Sequence, residues 1–206
     1  YPAPTGQKTL LAGLLVLLLS ACVQQPFSSS GVSGMAPLQL DGQDWSAKDA
    51  AATAPTPDML ALNDEMRDFV ARYAHGRSHY QRLQGLHASL RGSAMLGVEY
   101  DPGADGTDQE VFQSGTANCL SYAHLFVAMA RHAGLNAKYQ SVSLRPEWSR
   151  HGERVALRQH VNVIVSLPNN GRYMVDIDPI ARHRVADAHV LKDSEAFALY
   201  HSNEAM

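Results

Sequence analysis

Gly115-Thr116-Ala117-Asn118-Cys119-Leu120-Ser121-Tyr122-Ala123-His124-Leu125-Phe126-Val127-Ala128-Met129-Ala130-Arg131-His132-Ala133-Gly134 is the stretch on which the fold turns. From Asn118 to Ala133 the pattern reads as one helix with almost no polar face; Ser121, His124, Ala128 and Arg131 form a narrow stripe expected to meet water. A helix that is apolar nearly all round is a buried helix. Gly134 stands where a helix ends on a left-handed residue. The rest of the chain is therefore expected to wrap this segment.

Three strands are predicted after it. Ala137 to Leu144 alternates, with Tyr139, Ser141 and Ser143 against Lys138, Gln140 and Val142. Arg158 to Leu167 places Val161, Val163, Val165 and Leu167 on one face and His160, Asn162, Ile164 and Ser166 on the other. Pro168-Asn169-Asn170-Gly171 is a hairpin signal, and Arg172 to Asp178 returns as the third strand. Before the central helix, Met59, Leu62, Met66, Phe69, Val70 and Tyr73 recur at helical spacing, with Asp58 after Pro57 as N-cap. Leu83, Leu86 and Leu90 mark a second helix ending at Gly92, and Tyr100 to Thr107 has the composition of a loop. Helices, then one buried helix, then an antiparallel sheet make an α+β layout.

Composition agrees with one folded domain and an appendage. The chain has 206 residues, 45% of them hydrophobic and 18% charged, which is enough apolar material for a core. A net charge of −3 lacks the basic excess of a nucleic-acid binder. Two cysteines cannot staple a disulfide scaffold or supply a zinc site of three or four thiolates.

Cys119 falls in the first turn of the buried helix. Unpaired N–H groups and the positive end of the helix dipole favour the thiolate, the nucleophilic form. A thiol without a pairing partner in such a place is a candidate nucleophile. It needs a base. His124 lies five residues on, about 500° around the helix and so about 140° away from Cys119. His132 is more than three turns further along. His160 is better placed, on a strand face opposite the valines. An orienting carboxylate can come from the next strand, where Asp176 and Asp178 share one face. They share the face of His160 only if the hairpin loop has an odd number of residues or a bulge. Cysteine, strand histidine and neighbouring aspartate follow the nucleophile, base and orienter logic.

At these residues a family becomes recognisable. Gly115 to Ala123, leading into Leu125 to Leu135, resembles the bacterial branch of the transglutaminase-like, papain-related superfamily, over roughly Asp58 to Pro179. The family pattern is a Cys at a helix start, an Ala-Arg-x-Ala-Gly helix end, a His on a strand and an Asp on the next. Carried onto this chain, these are Cys119, Ala130 to Gly134, His160 and Asp176. Asp178-Pro179 also resembles the family's Asp-Pro ending, so Asp178 is the alternative orienter, with Asp176 favoured. The resemblance also implies an oxyanion donor at Gln113, six residues before Cys119, beside the Cys119 backbone N–H.

The N-terminus carries a second pattern. Lys8 precedes an apolar run from Leu10 to Leu19, of signal-peptide length and too short to span a bilayer at roughly 20 residues. Leu19-Ser20-Ala21-Cys22 resembles the bacterial lipobox, which implies removal of residues 1–21 and lipidation of Cys22. Val23 and Gln24 follow, with no Asp of the inner-membrane retention type, which favours the outer membrane. Residues 22–57 read as a flexible spacer with Trp45 as its largest apolar residue, residues 58–191 as the domain, and residues 192–206 as a C-terminal helix. That helix is similar to the first helix of a tetratricopeptide repeat. Such a repeat cannot bury its face alone, which implies further chain beyond Met206 and a protein partner.

His75 and His79 stand four apart, but Gly76 lies between them and no third ligand is near, so no metal and no cofactor is expected. Arg145 to Arg158 is a polar insertion beside His160, either a substrate wall or a surface loop. The leading functional expectation is a lipid-anchored cysteine enzyme of amide acyl transfer in the bacterial envelope, facing the periplasm and acting on a protein or peptide. The alternative is a non-catalytic binding scaffold of the same fold. A redox thiol protein would need a resolving cysteine, and none is available, since the only other one, Cys22, is expected to carry lipid.

Overall fold

The computed structural model describes residues 36–145, 150–151, 154–155 and 159–204. The export run, Cys22, Pro146 and Trp148 lie outside the described residues. The chain divides into two compact units, residues 1–53 and 54–206.

In the first unit, β1 (Leu38–Leu40) and β2 (Gln43–Trp45) pair antiparallel. Their turn is Asp41-Gly42, both at positive φ (51° and 79°), the backbone that a two-residue hairpin requires. Helix α1 (Ala47–Thr53) follows, opened by Ser46 and Asp49, each bonding the other's backbone N–H at 3.2 Å. A stretch expected to be a featureless spacer thus forms local structure, because turn and cap chemistry act without a core; none of the residues of α1 is buried.

The second unit begins with α2 (Asp64–Tyr73) and α3 (His79–Arg91). Helix α2 starts five residues later than the apolar spacing predicts. Asn63, not Asp58, is its N-cap and accepts the Met66 N–H at 2.9 Å. Met59 and Leu62 are still buried, but from an irregular turn. Gly85 in α3 lies against the end of α2, where an added Cβ would stand 2.2 Å from the Tyr73 carbonyl oxygen. The predicted loop is entered through β3 (Glu99–Tyr100) and is followed by a helix absent from the sequence reading, α4 (Asp108–Ser114), opened by a Thr107–Glu110 capping box. β4 (Thr116–Ala117) pairs parallel to β3 and leads into α5 (Cys119–His132).

The sheet has four strands, not three. β5 (Asn136–Leu144), β8 (Gln159–Ser166), β9 (Arg172–Val175) and β10 (Val185–Val190) run antiparallel in the order β10-β5-β8-β9. Strand β10 escaped the pattern because it is an edge strand with no buried residue, so nothing imposes alternation on it. Between β5 and β8 the polar insertion forms a separate small hairpin, β6 (Arg150–His151) and β7 (Arg154–Val155). Helix α6 (Asp193–Glu204) ends the described chain.

Helix α5 is the core. Every residue from Leu120 to Ala130 is buried, including Ser121, His124 and Ala128 of the stripe expected to be wet. The stripe is covered from two sides. Ser121 Oγ donates to Asp105 and accepts the Gly106 N–H, both at 3.0 Å. His124 Nδ1 meets the Tyr139 hydroxyl at 3.0 Å, under the rings of Phe197 and Tyr200 from α6. Burial, partly offset by the charge of Asp193, lowers His124 to about 4, so it is a neutral core residue. Helix α6 belongs to this core. Ala196 and Tyr200 are buried, and Asp193 takes both Nη atoms of Arg131 at 2.6 and 2.8 Å. The structural unit therefore continues past residue 191, where a separate terminal helix was expected. Among the described residues no helix is long and apolar enough to cross a membrane.

Candidate active site

The hairpin between β8 and β9 sets the register of the site. Ser166 pairs with Arg172, which leaves the five residues Leu167 to Gly171 between them. Leu167 N–H donates to Gly171 O at 2.8 Å, and Asn170 takes the left-handed conformation (φ 59°) that closes the turn. The loop is odd, so even-numbered residues of both strands lie on one face. Val163 opposes Val175, which puts Asn162 across from Asp176, one residue beyond the end of β9.

His160 Nε2 lies 2.7 Å from Asp176 Oδ2. Asn162 Nδ2 donates to the same oxygen at 3.3 Å, and the Asp178 backbone N–H donates to Oδ1 at 3.0 Å. The Asp176 carboxylate is thus held on both oxygens. His160 and Asp176 are 4% and 7% exposed, so their attraction acts in a low dielectric.

Cys119 reaches this pair from the start of α5. Helix α4 ends on Gly115, left-handed at φ 69°, and the Asn118 N–H is tied to Ala104 O at 2.8 Å. Asn118 then caps α5 by accepting the Ser121 N–H at 2.9 Å. Two tight reversals therefore aim the first residue of α5. Cys119 carries a free, half-buried thiol near enough to His160 to act on its protonation. Burial works against the charged form of His160. The hydrogen bond and charge of Asp176, with the neighbouring Cys119 thiol, outweigh it and raise the ring to about 9. With Nε2 committed to Asp176, Nδ1 is the ring nitrogen left to face the thiol.

The structure brings Cys119, His160 and Asp176 together. Asp178 is half-buried and contributes its backbone N–H, not its carboxylate, to the group. Gln113 is exposed on α4. Asn162 was not singled out as a site residue; its signal was its place two residues from His160 on the same strand face. His75 Nδ1 lies 2.7 Å from Arg72 O at the end of α2, and His79 opens α3. Among the described residues no group of three His, Cys, Asp or Glu side chains is arranged to hold a metal.

The fold and this constellation define a papain-like architecture, with a cysteine at a buried helix start and a histidine on the sheet. The family model described as the transglutaminase-like superfamily matches residues 67–190, and the chain belongs to that superfamily. No curated protein gives a significant match. Among solved structures, the chain is similar to a crystal structure described as a "putative protease" from Parabacteroides distasonis, with a TM-score of 0.46 and 13% identity. The alignment covers 71% of this chain and 31% of the other, so this chain spans about a third of that protein's length.

Proposed function

We propose that this protein is a cysteine enzyme of amide acyl transfer, held in the bacterial envelope by lipid on Cys22. The observation that carries the catalytic reading is the buried 2.7 Å contact of His160 Nε2 with Asp176 Oδ2, beside the free thiol of Cys119 at the start of α5. The Cys119 sulfur attacks a carboxamide carbon, and the electron pair moves onto the carbonyl oxygen. The Cys119 N–H, in the first turn of α5 and so without an intrahelical acceptor, donates to that oxyanion; Gln113 is the second donor proposed. His160 then gives its proton to the leaving nitrogen as the C–N bond breaks, which leaves a thioester. Water or an amine attacks the thioester, His160 takes back a proton, and the thiol is released. Asp176 holds the ring through Nε2. The substrate class is a protein or peptide amide reached from the periplasm.

The test is the rate at which iodoacetamide modifies Cys119 in the full chain between pH 5 and 9. The rate is read on the Cys119 peptide by mass spectrometry, so that Cys22 does not interfere. Wild type is expected to react quickly at pH 6 to 7, and His160→Ala at least about tenfold more slowly. Equal rates in the two proteins would remove the nucleophile–base assignment, and the binding-scaffold reading would take its place.

A further inference from the structure

We propose that Arg91, at the end of α3, is a positioning residue that acts on Asp176 through a single peptide group; this rests on the reading of Cys119, His160 and Asp176 given above. Arg91 Nη1 donates to the Ile177 carbonyl oxygen at 2.7 Å. The Asp178 N–H donates to Asp176 Oδ1 at 3.0 Å. That C=O and that N–H are the two ends of the same peptide bond. The peptide unit is planar, so an anchor on its oxygen fixes the direction of its N–H. Its dipole lies between a cation at the oxygen end and a carboxylate at the hydrogen end, the arrangement in which each hydrogen bond strengthens the other.

The tether has work to do here because the sheet does not supply it. Strand β9 ends at Val175, so residues 176–178 have no ladder partner in the sheet. Ile177 is buried and pins the segment by its side chain, which leaves the rotation of the following peptide to be set by hydrogen bonds. Arg91 reaches it from 86 residues away in sequence, from a helix that carries none of the proposed reacting groups. An unanchored Arg91 would leave Oδ1 with a loosely held donor. Asp176 could then rotate away from His160 Nε2.

The full chain is tested as Arg91→Met, which keeps an apolar stem without donor or charge, Arg91→Gln, which keeps a donor without charge, and Arg91→Lys, which keeps both. The readouts are the iodoacetamide rate at Cys119 and the NMR titration of the His160 ring; neither needs a substrate. Arg91→Met is expected to slow alkylation at pH 7 about tenfold and to lower the His160 titration by about one pH unit, the same factor in proton affinity. Arg91→Gln is expected to lie between, and Arg91→Lys to recover most of both. A merely structural arginine would change the melting temperature and leave the His160 titration in place. Wild-type values for both readouts in Arg91→Met, or in Arg91→Gln if the former does not fold, would overturn the proposal. His160→Ala run beside them separates the two readings. If it slows alkylation and the Arg91 variants do not, only the role of Arg91 fails. If it changes nothing, the reading beneath it fails.

Discussion

His160 and Asp176 meet at 2.7 Å because the loop joining their strands has an odd number of residues. The contact is a consequence of register. It brings a charged pair into a nearly closed site, and it makes the pair's contribution to stability depend on pH with a definite sign.

His160 is pushed up to about 9 from its ordinary value of 6.5, with burial opposing the shift and Asp176 and Cys119 imposing it. A raised histidine stabilises fully below its unfolded value, and the contribution is lost as pH rises through the folded one. Wild type is therefore expected to exceed Asp176→Asn in stability by about 2 kcal/mol near pH 6, after allowance for screening. The gap should shrink between pH 6.5 and 9. Thermal melts at pH 6 and pH 10 check this; a gap that widens with pH would contradict it.

Asn162 shares Asp176 Oδ2 with His160 at the longer distance of 3.3 Å. A long bond to a charged acceptor is worth about 1 kcal/mol, or about fivefold. Asn162→Val is expected to slow Cys119 alkylation by about that factor without unfolding the protein. Circular dichroism and the alkylation rate, taken together, decide it.

Asp108 also lowers stability as pH rises, but as an unpaired buried acid and not as a lost ion pair. It is fully buried, and burial raises it to about 7, with the N–H groups of Gln109 and Asp108 opposing and the charges of Asp58 and Glu110 adding. An acid raised above its unfolded value is progressively destabilising as pH climbs from about 4 through 7. Asp108→Asn should therefore flatten the fall in melting temperature between pH 5 and pH 8. An unchanged slope would remove Asp108 as its source.

Gly85→Ala tests the contact between α2 and α3. Alanine is the better helix former by about 1 kcal/mol. Its Cβ would meet the Tyr73 carbonyl oxygen at 2.2 Å, a backbone atom that cannot swing aside. Overpacking typically costs about 1–3 kcal/mol, and backbone against Cβ belongs at the upper end. A net loss of about 2 kcal/mol is expected in chemical denaturation.

The proposed lipidation of Cys22 is tested by metabolic labelling with a radioactive fatty acid. Label is expected in wild type and in Cys119→Ser, and not in Cys22→Ser. Label retained by Cys22→Ser would place the acyl group elsewhere.

What could be read from the residues divides along physical lines. Helix α5, the β8–β9 hairpin and the placing of a strand histidine against an aspartate of the next strand were legible, since each rests on periodicity or turn chemistry. The choice between Asp176 and Asp178 needed coordinates, because one residue past a strand end the face is no longer set by the pleat. Helix α4 is only seven residues long, too short to show a period, though Thr107 and Glu110 spell a capping box. The Asp41-Gly42 turn carried its own signal and was masked by the polar composition around it. The stripe on α5 misled because partners decide burial, and those partners, Asp105 and α6, lie far off in sequence.

Helix α6 has a bearing on how the protein comes into being. It is the last described element, and it lays Phe197 and Tyr200 over His124 on the central helix. A chain emerging from a ribosome or a translocon can assemble the sheet first, yet it keeps an aromatic cleft open along α5 until residues 193–204 arrive. Such a surface invites misassociation. Helix α6 thus acts as a closing step for this cleft, and a nascent chain halted at Leu191 would present to chaperones the side of α5 that α6 covers.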